Sequence, residues 1–234
     1  MTTSSTSVAM TTSPASSADE LVQRVAENLA AVRARIAATG RDPASIRIVA
    51  VTKTFGIDAV RAARVNGLAD LGENYVEELC AKRAQSDDAA ITWYYLGALQ
   101  SNKVQRVVAC ADVICGVSRA KELERIATFE PRRRLYVQVD YTGSPGRNGT
   151  VQGDVANLVA RARELGLDVR GLMTVAPTEP EGARRAFRSL RSLADELGLV
   201  ECSMGMSDDL EAACELGTTE VRIGRALFGA RAPR

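Results

Sequence analysis

From Asp19 to Thr39 apolar residues fall at Leu21, Val25, Leu29, Val32 and Ile36, the spacing of one helix face, and Gly40 closes the run. Beyond Gly40, short runs of strand-forming residues alternate with stretches of helical period. The pattern predicts eight strands, at about 46–52, 69–71, 91–96, 112–115, 135–140, 169–174, 201–203 and 219–223, each followed by a helix or helical piece. Strand-then-helix alternation implies parallel strands, and eight such units suggest an α/β chain closed into a single (β/α)8 TIM barrel with an extra N-terminal helix. An open doubly wound sheet is the competing layout, but no Gly-x-Gly-x-x-Gly follows the first strand. No linker interrupts the alternation, so residues 19–234 are expected to form one domain. The Ser/Thr/Ala-rich residues 1–18 read as a disordered tail, without the basic start or apolar core of a signal peptide.

Composition narrows the function classes. Thirty basic residues against 29 acidic ones leave no electrostatic reason to expect nucleic acid or an anionic membrane surface as a partner. No apolar stretch has membrane-spanning length, which points to a soluble protein. The five cysteines (Cys80, Cys110, Cys115, Cys202 and Cys214) fall on or beside apolar segments without metal-ligand spacing. They are expected to be reduced, packed thiols of a cytoplasmic protein. Histidine is absent, which removes imidazole-based catalysis and most zinc sites. No exposed apolar stripe stands out, so a monomer is the expectation.

The first strand, Ile46 to Thr52, runs directly into Lys53. The chain holds 26 arginines but only four lysines, and only lysine loses its proton readily enough to act as an amine nucleophile. A solvated edge charge is the plainer reading. In a barrel of this kind the loops after the strands gather on one face. They bring Lys53 together with Glu73 and Asn74, Gln100 to Asn102, Ser118, Met173 and Thr174, Ser203 to Ser207, and Gly224. Ser203-Met204-Gly205-Met206-Ser207-Asp208 runs through a glycine into a helix start, with Ser207 available as N-cap. Gly224-Arg225-Ala226 offers a second such turn. Each turn alone reads as capping; together, after strands seven and eight, they describe a phosphate cup. Arg222, within the eighth strand, is either a structural ion pair with Glu220 or a neighbouring strand, or a guanidinium aimed at a ligand's ring nitrogen. A lysine amine, a phosphate cup and such an arginine describe a site for pyridoxal 5′-phosphate.

Several segments carry a family resemblance. They are Val49-Ala50-Val51-Thr52-Lys53-Thr54, Gly72-Glu73-Asn74-Tyr75-Val76-Glu77-Glu78-Leu79, Leu96-Gly97-Ala98-Leu99-Gln100-Ser101-Asn102-Lys103 and Arg170-Gly171-Leu172-Met173-Thr174-Val175-Ala176-Pro177. Ser203-Met204-Gly205-Met206-Ser207-Asp208-Asp209 and Val221-Arg222-Ile223-Gly224-Arg225-Ala226-Leu227-Phe228-Gly229 complete the set. The sequence resembles the pyridoxal phosphate homeostasis proteins (the YggS/PROSC family) over about residues 20–231. The resemblance implies a barrel like the cofactor domain of alanine racemase, holding pyridoxal phosphate as an internal aldimine. By position it makes Lys53 the Schiff-base lysine and Asn74 a contact near the cofactor. Ser207, Gly224 and Arg225 then fall around the phosphate, Arg222 at the pyridine nitrogen, and Met206 among the cofactor-binding residues. The chain departs from the family pattern at Tyr94 and Ala98, where relatives carry histidines. It departs again at Pro145 and Arg147, where they carry an acidic residue and a lysine, and at Arg225, where a small hydroxyl residue is common.

The resemblance implies a carrier that buffers or delivers the cofactor to PLP-dependent apoenzymes, with no catalytic residues and no metal. Two enzyme readings stand beside it. An amino-acid racemase of this fold takes an acid/base residue from a second β domain, and the sequence ends at Arg234, directly after the barrel pattern. A Schiff-base aldolase acting on a phosphosugar would use the same lysine and cup.

Overall fold

A computed structural model describes residues 17–230. The tail expected over residues 1–18 lies outside the described residues up to residue 16. Ser17 and Ala18 instead open the first helix, α1 (Ser17–Ala38). That helix buries Val25, Leu29, Val32 and Ile36 on one face and carries Asp19 and Glu20 in its first turn, where they complement the helix dipole.

Eight parallel strands follow. They are β1 (Arg47–Val51), β2 (Asp70–Glu73), β3 (Thr92–Tyr95), β4 (Val113–Val117), β5 (Arg134–Val139), β6 (Asp168–Thr174), β7 (Glu201–Ser203) and β8 (Glu220–Ile223). They pair in chain order, and β8 closes on β1 with Ile48 opposite Val221 and Ala50 opposite Ile223. After each strand comes its helix: α2 (Ile57–Val65), α3 (Val76–Ala84), α4 (Val104–Cys110), α5 (Ala120–Ala127), α6 (Val155–Glu164), α7 (Pro180–Glu196), α8 (Leu210–Glu215) and α9 (Arg225–Phe228). This is the expected (β/α)8 barrel with its extra helix. Strand ends lie within two residues of those predicted, because ladder pairing rather than composition sets where a strand stops.

Alternation along each strand divides the core in two. On β5, Leu135, Val137 and Val139 face the helices, where they join the larger core. Tyr136, between them, enters the barrel interior with Val49, Tyr94, Val113, Cys115 and Met173. Tyr94, at one of the departures from the family pattern, is thus an interior packing residue. The foot of the barrel is polar: Arg47 reaches Glu220 at 3.3 Å, and the Tyr136 hydroxyl donates to Glu201 and, at 3.3 Å, to Glu220. Burial pushes the Glu220 carboxyl above its ordinary value.

α1 packs on α2, α8 and α9. Asn28 Nδ2 donates to the Leu227 carbonyl at 2.8 Å, and Arg35 forks onto both oxygens of Glu211 at 2.6 and 2.8 Å. Among the described residues no helix is long and apolar enough to cross a membrane. One expectation is corrected here: Cys80 on α3 and Cys110 on α4 form a disulfide, leaving Cys115, Cys202 and Cys214 as buried free thiols. The two half-buried positions on neighbouring helices are brought together by packing 30 residues apart in sequence.

Candidate functional site

The C-terminal ends of the strands open onto a cavity of about 470 Å³, within the usual size range of small-molecule pockets. Val51, Leu96, Met173 and Val175 make its apolar wall. Lys53, Asn74, Met206, Ser207, Arg222, Gly224 and Arg225 all border it.

Lys53 stands two residues past β1 in a tight turn. Thr54, next to it, has φ 68°, a left-handed backbone that costs an L-residue about 1–2 kcal/mol. The turn is held in that shape by its neighbours: Thr52 is fully buried, with its hydroxyl on Glu73 Oε1 at 2.6 Å, and the Thr54 amide donates to Glu78 Oε2 at 2.7 Å. Asn74 is placed by a close approach of the third loop. A Cβ on Gly97 would lie 2.2 Å from the Asn74 carbonyl oxygen, so only glycine fits there.

Arg222 is 5% exposed. Its Nη1 donates to the Ser203 carbonyl at 2.7 Å and the Ser203 hydroxyl at 2.8 Å, and its Nη2 donates to the Thr174 carbonyl at 2.7 Å. The ion pair with Glu220 considered from sequence is not formed; Glu220 pairs with Arg47, and the acceptors on Arg222 are neutral. Burial pulls the Arg222 pKa below the ordinary arginine value.

The seventh and eighth loops meet as the sequence suggests, by a different bond. Ser207 is not the N-cap of α8, a position held by Asp209, whose carboxylate accepts from the Met206 amide at 2.6 Å. The Ser207 hydroxyl instead accepts from the Ala226 amide at 3.2 Å, joining the β7 loop to the start of α9. Gly205 permits that path: its φ is 98°, and a Cβ there would come within 2.6 Å of the Ala213 methyl. Gly224 caps α9 with φ −115°, open to any residue, so its contribution is a bare backbone at the cavity wall. Arg225 turns to the rim and donates to Asp208, with both side chains exposed.

Other strand-end residues leave the site. Glu73 points outward to α3, where Lys82 Nζ meets its Oε1 at 2.6 Å. The Thr174 hydroxyl donates to the Val139 carbonyl, and the Ser118 hydroxyl to Asn148 Oδ1. Gln100, Ser101, Asn102 and Arg147 do not border the cavity. Met173 is among the strand-end residues named from the sequence; the rest of the apolar wall is not, and alternation places it only once the strand phase is known. Val51, Leu96 and Val175 each lie two residues beyond an interior residue, namely Val49, Tyr94 and Met173.

A closed parallel barrel with a lysine after its first strand and a buried arginine in its last defines a class of barrel. Residues 22–232 match the family described as alanine racemase, N-terminal domain. The chain is 41% identical over 220 residues to the pyridoxal phosphate homeostasis protein of Pseudomonas aeruginosa, spanning 88% of this chain and 96% of the relative. It is 33% identical over 228 residues to the protein of that name from Escherichia coli, spanning 88% and 97%. This chain belongs to the family of pyridoxal phosphate homeostasis proteins. Among solved structures it is similar to PipY of Synechococcus elongatus, with 33% identity over 88% of this chain and all of PipY. The TM-scores are 0.80 without PLP and 0.78 with PLP bound.

Proposed function

We propose that this protein binds pyridoxal 5′-phosphate in the barrel-mouth cavity and serves in its homeostasis. In this reading it holds the cofactor and passes it to PLP-dependent apoenzymes without turnover of its own. The observation that carries the reading is that Lys53, the buried Arg222 guanidinium and the joined β7 and β8 loops border one cavity. The residues present fit the group. Of the five N–H donors of Arg222, residues of β6 and β7 take three, and the side chain lines the cavity. When bound, the cofactor supplies an aldehyde for an amine and a phosphate for backbone donors.

Lys53 is the residue that attaches. Its amine would supply the nucleophile for the aldehyde that the cofactor carries. Ser207, Gly224 and the backbone at Arg225 would hold the phosphate, with Met206 and Asn74 as further cofactor contacts. Arg222 would hold the ring nitrogen. It stays cationic and so disfavours a proton there, which weakens the ring as an electron sink. This suits holding an aldehyde more than driving carbanion chemistry, and the names of the curated relatives, homeostasis proteins rather than enzymes, support that choice.

The test is an absorption spectrum with added pyridoxal phosphate, before and after borohydride, beside Lys53→Ala. A visible band fixed by borohydride onto a Lys53 peptide and missing from the variant is expected. D- and L-alanine should racemise no faster than in a cofactor-only blank. A band that survives in Lys53→Ala would refute the attachment site, and racemisation above the blank would refute the carrier.

A further inference from the structure

We infer that the buried Glu73–Lys82 pair, together with Glu78, is the positioning device for Lys53. This rests on the proposed role of Lys53 in attaching pyridoxal phosphate and extends it to three residues that do not border the cavity.

Lys82 lies on the inner face of α3 and is 5% exposed. A lysine ammonium is rarely buried unless it is paired. Its Nζ donates to Glu73 Oε1 at 2.6 Å and to the Thr52 carbonyl at 2.7 Å, and it stands 3.8 Å from Glu78 Oε2. The same two carboxylates hold the turn. Glu73 Oε1 accepts the Thr52 hydroxyl at 2.6 Å, and Glu78 Oε2 accepts the Thr54 amide at 2.7 Å. Lys53 therefore sits between two anchored residues. Thr52 is tied by carbonyl and hydroxyl, and Thr54 is tied by its amide in the left-handed conformation that an unsupported threonine would leave.

Stability gives little reason for this arrangement. A buried ion pair contributes no more than well-packed apolar residues of the same volume. What it adds is direction. All three charged groups converge on the residues either side of one lysine, and the rigid β2–α3 unit carries them. Holding an amine at a defined place relative to its electrophile is worth rate rather than affinity.

Two variants separate positioning from folding. Glu78→Gln removes a charge that is partly exposed. Glu73→Gln combined with Lys82→Met removes the buried pair without leaving a lone charge. Three quantities are measured on each: the rate at which the visible band rises on mixing with pyridoxal phosphate, the affinity for pyridoxine 5′-phosphate, and the melting temperature. Pyridoxine 5′-phosphate lacks the aldehyde and reports the cavity alone. The expected result is attachment slowed about tenfold or more in both variants, with pyridoxine phosphate affinity unchanged. Attachment at the wild-type rate in both variants overturns the proposal. So does loss of both ligands in step with a falling melting temperature, which would mark the network as structural. A wild-type protein that binds pyridoxine phosphate but shows no band overturns the reading of Lys53 itself, and this proposal with it.

Discussion

At Thr54 a β-branched residue occupies a left-handed backbone, φ 68°, that asparagine adopts at lower cost. Thr54→Asn should therefore stabilise the protein by up to about 1 kcal/mol, read as a rise in melting temperature. A fall would mean that the threonine side chain contributes more than its backbone costs. The neighbouring residues show what was legible at this scale. Lys53 at the end of the first strand was conspicuous because lysine is scarce in this chain. Glu73 was read as facing the cavity, and it faces α3. One step of strand alternation separates the two outcomes, and nothing local sets that phase. Arg222 was offered as an ion pair or a ligand contact. Its protein partners are two backbone carbonyls and a hydroxyl, acceptors that only the assembled barrel brings within reach.

At the scale of elements, α1 is strapped across the barrel's outer surface by the Arg35–Glu211 pair on α8. The hydrogen bond from Arg35 holds the Glu211 carboxyl below its ordinary value. The folded protein then binds fewer protons there than the unfolded chain. The pair's stabilisation is present above the unfolded pKa and is lost as pH falls through the folded one. Both side chains are at least a third exposed, so Glu211→Gln should cost under about 1 kcal/mol at pH 7. Urea melts at pH 7 and pH 3 test this: the gap between the two proteins should close at the lower pH, and an equal gap at both would refute the linkage. The elements themselves were readable, since hydrophobic period distinguishes strand from helix. The start of α8 was misplaced because Ser207 and Asp209 are both competent capping residues, and Ser207 is drawn away to Ala226.

Across the whole molecule, five cysteines were expected to be free, and Cys80–Cys110 is a disulfide between adjacent helices. The other three are buried, and burial pushes the Cys202 and Cys214 thiols up to about 11. Protein purified without reductant should react slowly with a thiol reagent while folded. It should yield three thiols when denatured and five after reduction. Five thiols in the denatured, unreduced protein would exclude the bond. Cys202, beside the β7 loop in sequence, packs toward α7 with its Sγ 4.0 Å from the Leu190 carbonyl, away from the cavity.

The sequence by itself determined the order of eight strand-helix units, the closed barrel they make, and the seven positions that come to border one cavity. The first two follow from local period, and the seven positions from place in the chain order together with the family resemblance. Only the tertiary structure decided which strand-end side chains turn inward, that Glu73 and Lys82 clamp the turn around Lys53, and which two cysteines pair. Parallel strands buried on both faces read as apolar throughout, so their phase is not written in hydrophobicity. Pairings between α3 and its neighbours depend on distances that exist only after the helices pack.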